Sequence, residues 1–392
     1  MSTQKQTFIG WGDMSIYLDC NATTPIEPRV RDKMLHFLDL EYGNAASRTH
    51  IWGTRAKQAV QQAREQIANV VNAKADEVIF TSGATESNNL AILGLAAHMR
   101  KVGRKHIITT NIEHKAVLEP VSVLENMGFE VSYVSPGGDG RVSSGAIINA
   151  LRPDTGIVSV MHVNNETGVI QPIDEIASFL HDHDTFFHVD AAQGYGKIIG
   201  TLQHKRIDLI SISGHKIFAP KGIGALITRR RGFKRLPLAP IMFGGGHENG
   251  LRPGTLPVHL IVALGEASAI AMEDHSSRHK TNYKFRESLL HSISEFKYQI
   301  NGDSNFSLPH VLNISFYGVN SEAALVALKD EISISNGSAC TSHSYDLSHV
   351  LMAMDLSDDR IKSALRISWC HLTPEVNWAK VVSKIKVLQA IT

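Results

Sequence analysis

Five short clusters carry the side chains that could do chemistry. Thr81-Ser82-Gly83-Ala84-Thr85-Glu86-Ser87 sets a glycine and hydroxyls at the start of a predicted helix, where free backbone N–H groups and the helix dipole favour a phosphate. Ser213-Gly214-His215-Lys216 puts a lysine at the end of an apolar run. Burial lowers the pKa of such a lysine and turns it into a nucleophile able to form a Schiff base. Asp190, in His188-Val189-Asp190-Ala191-Ala192-Gln193, is placed to pair with a protonated ring nitrogen. Asn164 and Asn165, in Val163-Asn164-Asn165-Glu166-Thr167-Gly168, offer amide donors to a phenolate or carboxylate, and His114 after Glu113 can stack on an aromatic ring. Taken singly, each has an ordinary alternative: a Ser/Thr helix cap, an exposed loop lysine, an N-capping aspartate, a turn, a surface histidine.

What unites the five is position. Apolar runs 77–81, 106–110, 130–134, 156–160, 185–189, 207–211 and 225–228 read as strands, and apolar periodicity over 55–72, 88–99 and 113–127 reads as helices. Short apolar strands alternating with helices predict an α/β chain with a mostly parallel seven-stranded sheet covered on both faces. Each cluster follows one of these strands, and ligand crevices in such sheets lie at the carboxyl ends. Beyond Pro257 the texture changes to a long helical stretch, 258–296, followed by strand-like VLNISF and a helical SEAALVALKDE. The expected organisation is a large domain over 18–257 and a smaller α+β domain from 1–17 and 258–392.

Composition removes other classes. The chain has 392 residues, 43% hydrophobic, with 39 Lys plus Arg against 38 Asp plus Glu, so charge alone predicts no direct nucleic-acid partner. Arg229-Arg230-Arg231 with Lys234 and Arg235 reads as a solvated turn, and His181-Asp182-His183-Asp184 as a polar helix end with no metal expected. MSTQKQTFIGWGDMS lacks the apolar core of about 7–15 residues that a signal peptide needs. The greasiest run, Leu260 to Met272, is broken by Glu266 and falls short of the ~20 residues a membrane span requires. Three cysteines, Cys20, Cys340 and Cys370, make no disulfide framework and fit a reducing cytoplasm.

A phosphate cradle, a ring-pairing carboxylate, a Schiff-base lysine and a ring-stacking histidine are together what pyridoxal 5′-phosphate (PLP) needs. With SGATESNNLA, EHKAV, HVNNETG, HVDAAQ, SGHKIFAPKGIGAL, GTLPVH and NGSACTS, the chain closely resembles the cysteine desulfurases, fold-type I PLP enzymes, from Tyr17 to Ser368. The resemblance implies roles. Lys216 holds PLP, His114 stacks on its ring, Asp190 pairs with the ring nitrogen and Gln193 meets the phenolic oxygen. Ala84, Thr85, Ser213 and His215 hold the phosphate, and Asn165 faces substrate and cofactor oxygens. Arg366 clamps the carboxylate of L-cysteine, a task that suits a bidentate fork. Thr255 reaches the neighbouring subunit's phosphate, so a homodimer is implied. Cys340, among Gly, Ser and Thr, resembles the persulfide-forming nucleophile, whose thiolate is the reactive form.

The sequence departs from the family at Trp369-Cys370, His247 and Cys20. Cys370 reads as a packed bystander. LDCNATTPIEP, SRTH, HVNNETGVIQP and LRPGTLPV look most like the desulfurases of DNA phosphorothioation systems, which implies an iron–sulfur-containing DNA-modification partner as sulfur acceptor. The alternatives are a general desulfurase for iron–sulfur assembly and tRNA thiolation, a selenocysteine lyase or aminotransferase, and a PLP-binding scaffold without chemistry.

Overall fold

The computed structural model describes residues 15–336 and 347–391. In chain order its elements are β1 (Ile16–Tyr17), α1 (Pro28–Asp39), α2 (Ile51–Val70), β2 (Val78–Thr81), α3 (Ala84–Lys101), β3 (His106–Thr110), α4 (Lys115–Asn126), β4 (Glu130–Val134), α5 (Ser144–Asn149), β5 (Thr155–Met161), α6 (Ile173–Phe179), β6 (Phe186–Asp190), β7 (Leu209–Ser213) and β8 (Gly224–Thr228). Then come α7 (Val258–Glu273), α8 (His275–Ser292), β9 (Tyr298–Ile300), β10 (Val311–Phe316), α9 (Ser321–Leu328), β11 (Ile332–Ser333), α10 (His349–Ala353), α11 (Asp358–Lys362), β12 (Ala364–Ser368) and α12 (Trp378–Ile391).

Seven strands form one sheet in the order β2-β8-β7-β6-β5-β3-β4. All pairings are parallel except those of β8, which runs against both β2 and β7. The strands are apolar on both sides because helices cover both faces. Alternate residues go to opposite faces. Ile79, Ile107, Ile157, Leu209 and Leu226 pack with α3 and α4, whereas Phe80, Ile108, Val158, Ile210 and Ile227 pack with α2 and α7.

The remaining strands make a three-stranded antiparallel sheet, β12-β10-β9, and a parallel pair in which Ile16 of β1 lies opposite Ile332 of β11. A second core of Leu18, Leu289, Ile314, Phe316, Leu365 and Trp369 lies beneath them.

Two features differ from the sequence reading. The helical stretch beyond Pro257 is two helices, not one, and the cores do not divide at that proline. Ile261, Leu264 and Ala267 of α7 belong to the larger core, while Leu289 of α8 belongs to the smaller. The break falls at Asp274, with ψ near 4°, whose carboxylate pairs with Arg29 and Arg278. The arginine run is not a solvated turn. Arg229 is buried and donates to four carbonyls, those of His204, Ile207, Val71 and Leu202. Arg230 pairs with Asp76, and Arg231 pairs with Asp208 while lying over the Phe186 ring. The run ties strand ends to neighbouring loops. His181 and Asp182 are exposed, and among the described residues no His, Cys, Asp and Glu cluster could hold a metal ion.

Candidate active site

The carboxyl ends of β2, β5, β6 and β7 converge on a cavity of about 430 Å³. Ala84, Thr85, His114, Asn165, Asp190, Gln193, Ser213, His215, Lys216 and Arg366 all line it. Of the residues expected to form a site, Thr255 is exposed and outside this lining, and Cys340 lies outside the described residues.

One end of the cavity is built for an anion. β2 ends at Thr81, and the chain enters α3 through Gly83, at φ 155°, a conformation a side chain disfavours. Gly224 of β8 lies directly behind. A Cβ there would stand 2.6 Å from the Gly83 Cα, so only glycine lets the two backbones meet. The first N–H groups of α3 have no intrahelical partner and face the cavity with Ser213 and His215. His215 holds the Thr23 hydroxyl at 3.1 Å through Nδ1. Burial, then the charges of Lys216 and Lys221, push its pKa down to about 4, so its ring is neutral and can donate one N–H.

The middle holds the ring-facing pair. His114 caps α4, and its Nδ1 accepts from the Ala116 N–H at 3.1 Å, so the ring proton of the neutral form sits on Nε2. Burial lowers the His114 pKa. Asp190 closes β6. One carboxylate oxygen accepts from Asn88 Nδ2 at 2.8 Å and the other from the Ala192 N–H at 2.9 Å, which fixes its orientation. Beneath them Glu113 is fully buried. Its Oε1 accepts from the Thr110 hydroxyl and the Met161 N–H, each at 2.8 Å, and Oε2 has no partner among the described residues. Burial, with the Asp190 charge, pushes Glu113 up to about 8.

At the other end Lys216 donates its ammonium to the backbone oxygens of Asn21 and Ala22, the latter at 2.8 Å. Asn21 is a junction that sequence reasoning missed. Its carbonyl also accepts from Gln193 Nε2 at 2.9 Å, and its own amide donates to the Asn165 carbonyl at 3.0 Å. Its partners are more than 140 residues away, and backbone acceptors leave no signal in side-chain types. Arg366, 1% exposed in β12, donates to Asp19 at 2.7 Å and to the Asn165 carbonyl at 3.2 Å. Asp19 was likewise missed. Arg366 Nε and Asn165 Oδ1 are buried without partners among the described residues, as groups awaiting a polar ligand would be.

An anion cradle, a carboxylate opposite a histidine, and a lysine and an arginine in one cleft fit PLP and an amino acid. The Aminotransferase class-V family profile matches residues 16–377. A cysteine desulfurase IscS of Vibrio vulnificus (strain YJ016) is 47% identical over 380 residues, 96% of this chain and 93% of that one.

The chain belongs to the cysteine desulfurases of the class-V aminotransferase family.

Like its family, the enzyme is PLP-dependent. Its fold is also that of DndA from Streptomyces lividans, with a TM-score of 0.80 and 52% identity over 89% of this chain and 98% of that one. A solved complex of SspA with cysteine is 37% identical, with a TM-score of 0.81, over 92% of this chain and 100% of that one. The desulfurase has, among its described residues, no helix long and apolar enough to cross a membrane.

Proposed function

We propose that the enzyme takes sulfur from L-cysteine, leaves L-alanine and a persulfide on Cys340, and passes the sulfur to an acceptor serving DNA phosphorothioation. The observation that carries the pathway reading is the 52% identity to DndA over nearly all of that chain, together with the motifs of that branch. The 47% identity to IscS relatives favours a second reading, a general desulfurase feeding iron–sulfur assembly and tRNA thiolation. Deleting this chain's gene separates the two. Loss of phosphorothioate linkages from genomic DNA, with tRNA thiolation intact, is expected; intact linkages overturn the pathway.

The residues divide the work. Bound PLP supplies an electron sink for charge developing at the substrate α-carbon. Ala84 and Thr85 N–H groups with Ser213 and His215 would hold its phosphate. His114 and Asp190 would hold its ring, and Gln193 its phenolic oxygen. Arg366 would receive the substrate carboxylate through its unpartnered Nε, with Asp19 and the Asn165 carbonyl holding the rest of the guanidinium. Lys216, steered by the Asn21 and Ala22 carbonyls, removes the α-proton and returns it. The Cys340 thiolate attacks the substrate sulfur. An S–S bond forms, the Cβ–S bond breaks with its electrons going to the β-carbon, which takes up a proton to become the alanine methyl group, and no oxidant is needed.

A homodimer completes each site through Thr255. Leu38, Leu40, Tyr42, Ile51 and Trp52 are exposed along the α1–α2 connection, with the Tyr42 and Trp52 rings stacked at 5.1 Å. Such an apolar patch supports an interface. The scarcity of cysteines supports a cytoplasmic setting.

A further inference from the structure

A second, smaller cavity lies behind the lysine. It measures about 50 Å³ and is lined by Cys20, Cys370, Lys197, Phe218 and Arg278. Its wall includes the exposed His279, so it reaches the surface. The volume exceeds that needed for one water and admits a peroxide. The two sulfurs come together because Asp19 and Ser368 form a parallel bridge that leaves Cys20 and Cys370 as diagonal neighbours. With Phe218 they form their own buried cluster, at 2% and 5% exposure, and both line the same cavity.

The surroundings make the two unequal. The Thr373 hydroxyl donates to the Cys370 sulfur at 3.7 Å, and the Arg278 charge acts on the same sulfur, whereas the Lys197 charge acts on both. The neighbouring Cys20 thiol, then backbone N–H donors, bring Cys370 down to about 7, while Cys20 is pushed up by its partner and by burial. With the Thr373 hydroxyl on its sulfur, Cys370 is the more readily ionised thiol and Cys20 the one that closes on it.

We propose that Cys20 and Cys370 form a peroxide-reactive dithiol, a modification site separate from the catalytic cavity, that closes to an intramolecular disulfide. The Cys370 thiolate attacks a peroxide oxygen, the O–O bond breaks, and a sulfenic acid and hydroxide form. Cys20 sulfur then attacks the Cys370 sulfur. The S–S bond forms, hydroxide leaves, and the Cys20 proton converts it to water. Two thiols and one hydrogen peroxide become one disulfide and two waters. The closure reaches the active site because Cys20 precedes Asn21 and Ala22, whose carbonyls hold Lys216. Drawing the sulfurs from non-bonded contact to the ~2.05 Å of a disulfide pulls that segment, and a shift of about 1 Å at catalytic groups costs roughly 100-fold in rate. The thiol chemistry is independent of the desulfurase reading; only the effect on Lys216 rests on it.

The experiment uses the PLP-loaded Cys340→Ser enzyme, whose remaining thiols are Cys20 and Cys370. After hydrogen peroxide and a catalase quench, the denatured chain should have lost both thiols together and the mass of two hydrogens, yield a linked 20–370 peptide, and recover with dithiothreitol. When each member of the pair is also changed to Ser, dimedone should label Cys370 in the Cys20→Ser chain and leave Cys20 unlabelled in the Cys370→Ser chain. Two thiols surviving, oxidation to separate sulfinic acids, or the reverse labelling overturns the site. The first measurement requires neither added variant to fold. The visible absorbance change on adding L-cysteine should slow at least about tenfold in the disulfide form; an unchanged rate with complete closure overturns the coupling to Lys216.

Discussion

Replacing Glu113 with glutamine removes a titrating group from the wall of the active site without removing its hydrogen-bond acceptor. In the folded enzyme the Glu113 pKa lies near 8, against 4.5 for the free side chain, because burial strips the carboxylate of water. Between those two values the folded chain keeps a proton that the unfolded chain has lost. Stability therefore falls as pH rises through this window and levels off above it. The cost is about 1.4 kcal/mol per pH unit and on the order of 5 kcal/mol over the window. The glutamine side chain would offer the same oxygen to Thr110 and Met161. Its NH₂ would be as unpartnered as the Oε2 of the protonated acid. Glu113→Gln should thus match the parent near pH 5 and exceed it near pH 9 by a few kcal/mol. His162 and His188, buried and pushed down to about 3, lower stability as pH falls below their unfolded value. They do so equally in both proteins and cancel in the difference. Urea unfolding midpoints across that pH range, at one fixed PLP concentration because bound ligand adds stability, give the comparison. Parallel pH profiles for the two proteins would show that Glu113 is ionised throughout and refute the reasoning.

Other outcomes follow from the same geometry. Lys216→Ala should lose the visible absorption of the lysine-bound cofactor; an unchanged spectrum removes the lysine from that role. Arg366→Ala should raise the L-cysteine dissociation constant roughly 10- to 150-fold, the loss of one charge-assisted pair worth about 1.5–3 kcal/mol. An unaltered constant, read by spectral titration, rejects the carboxylate clamp. Thr255→Ala should weaken PLP retention, and stripping PLP should loosen the dimer in sedimentation runs. A PLP-loaded monomer with full activity contradicts a shared site.

Much of the sheet was legible because its strands are short apolar runs ended by polar or glycine-containing clusters. His106–Thr110, Glu130–Val134 and Val311–Phe316 fall where the pattern puts them. The clusters around Thr85, His114, Asn165, Asp190 and Lys216 were legible for the same reason, each following a strand, whereas Arg366, inside β12, came from the family resemblance alone. What was not legible depends on partners far away in the chain. Arg229 reads as surface charge until the carbonyls of Val71 and Leu202 close around it. Arg366 reads as a free clamp until Asp19 is brought beside it. Asp274 interrupts a helical pattern because Arg29 and Arg278 converge on it. Cys370 reads as packing until the Asp19–Ser368 bridge lays it against Cys20.

On the proposed function, sulfur moves from L-cysteine to this chain's own Cys340. Mixing the PLP-loaded enzyme with L-cysteine in the absence of reductant, then weighing intact chain and peptides, tests that transfer. One L-alanine per chain in the first turnover and the mass of one sulfur atom added to the Cys340 peptide are expected, both absent in Cys340→Ser. L-alanine formed at full yield by Cys340→Ser, or the added sulfur on the Cys370 peptide, would contradict it.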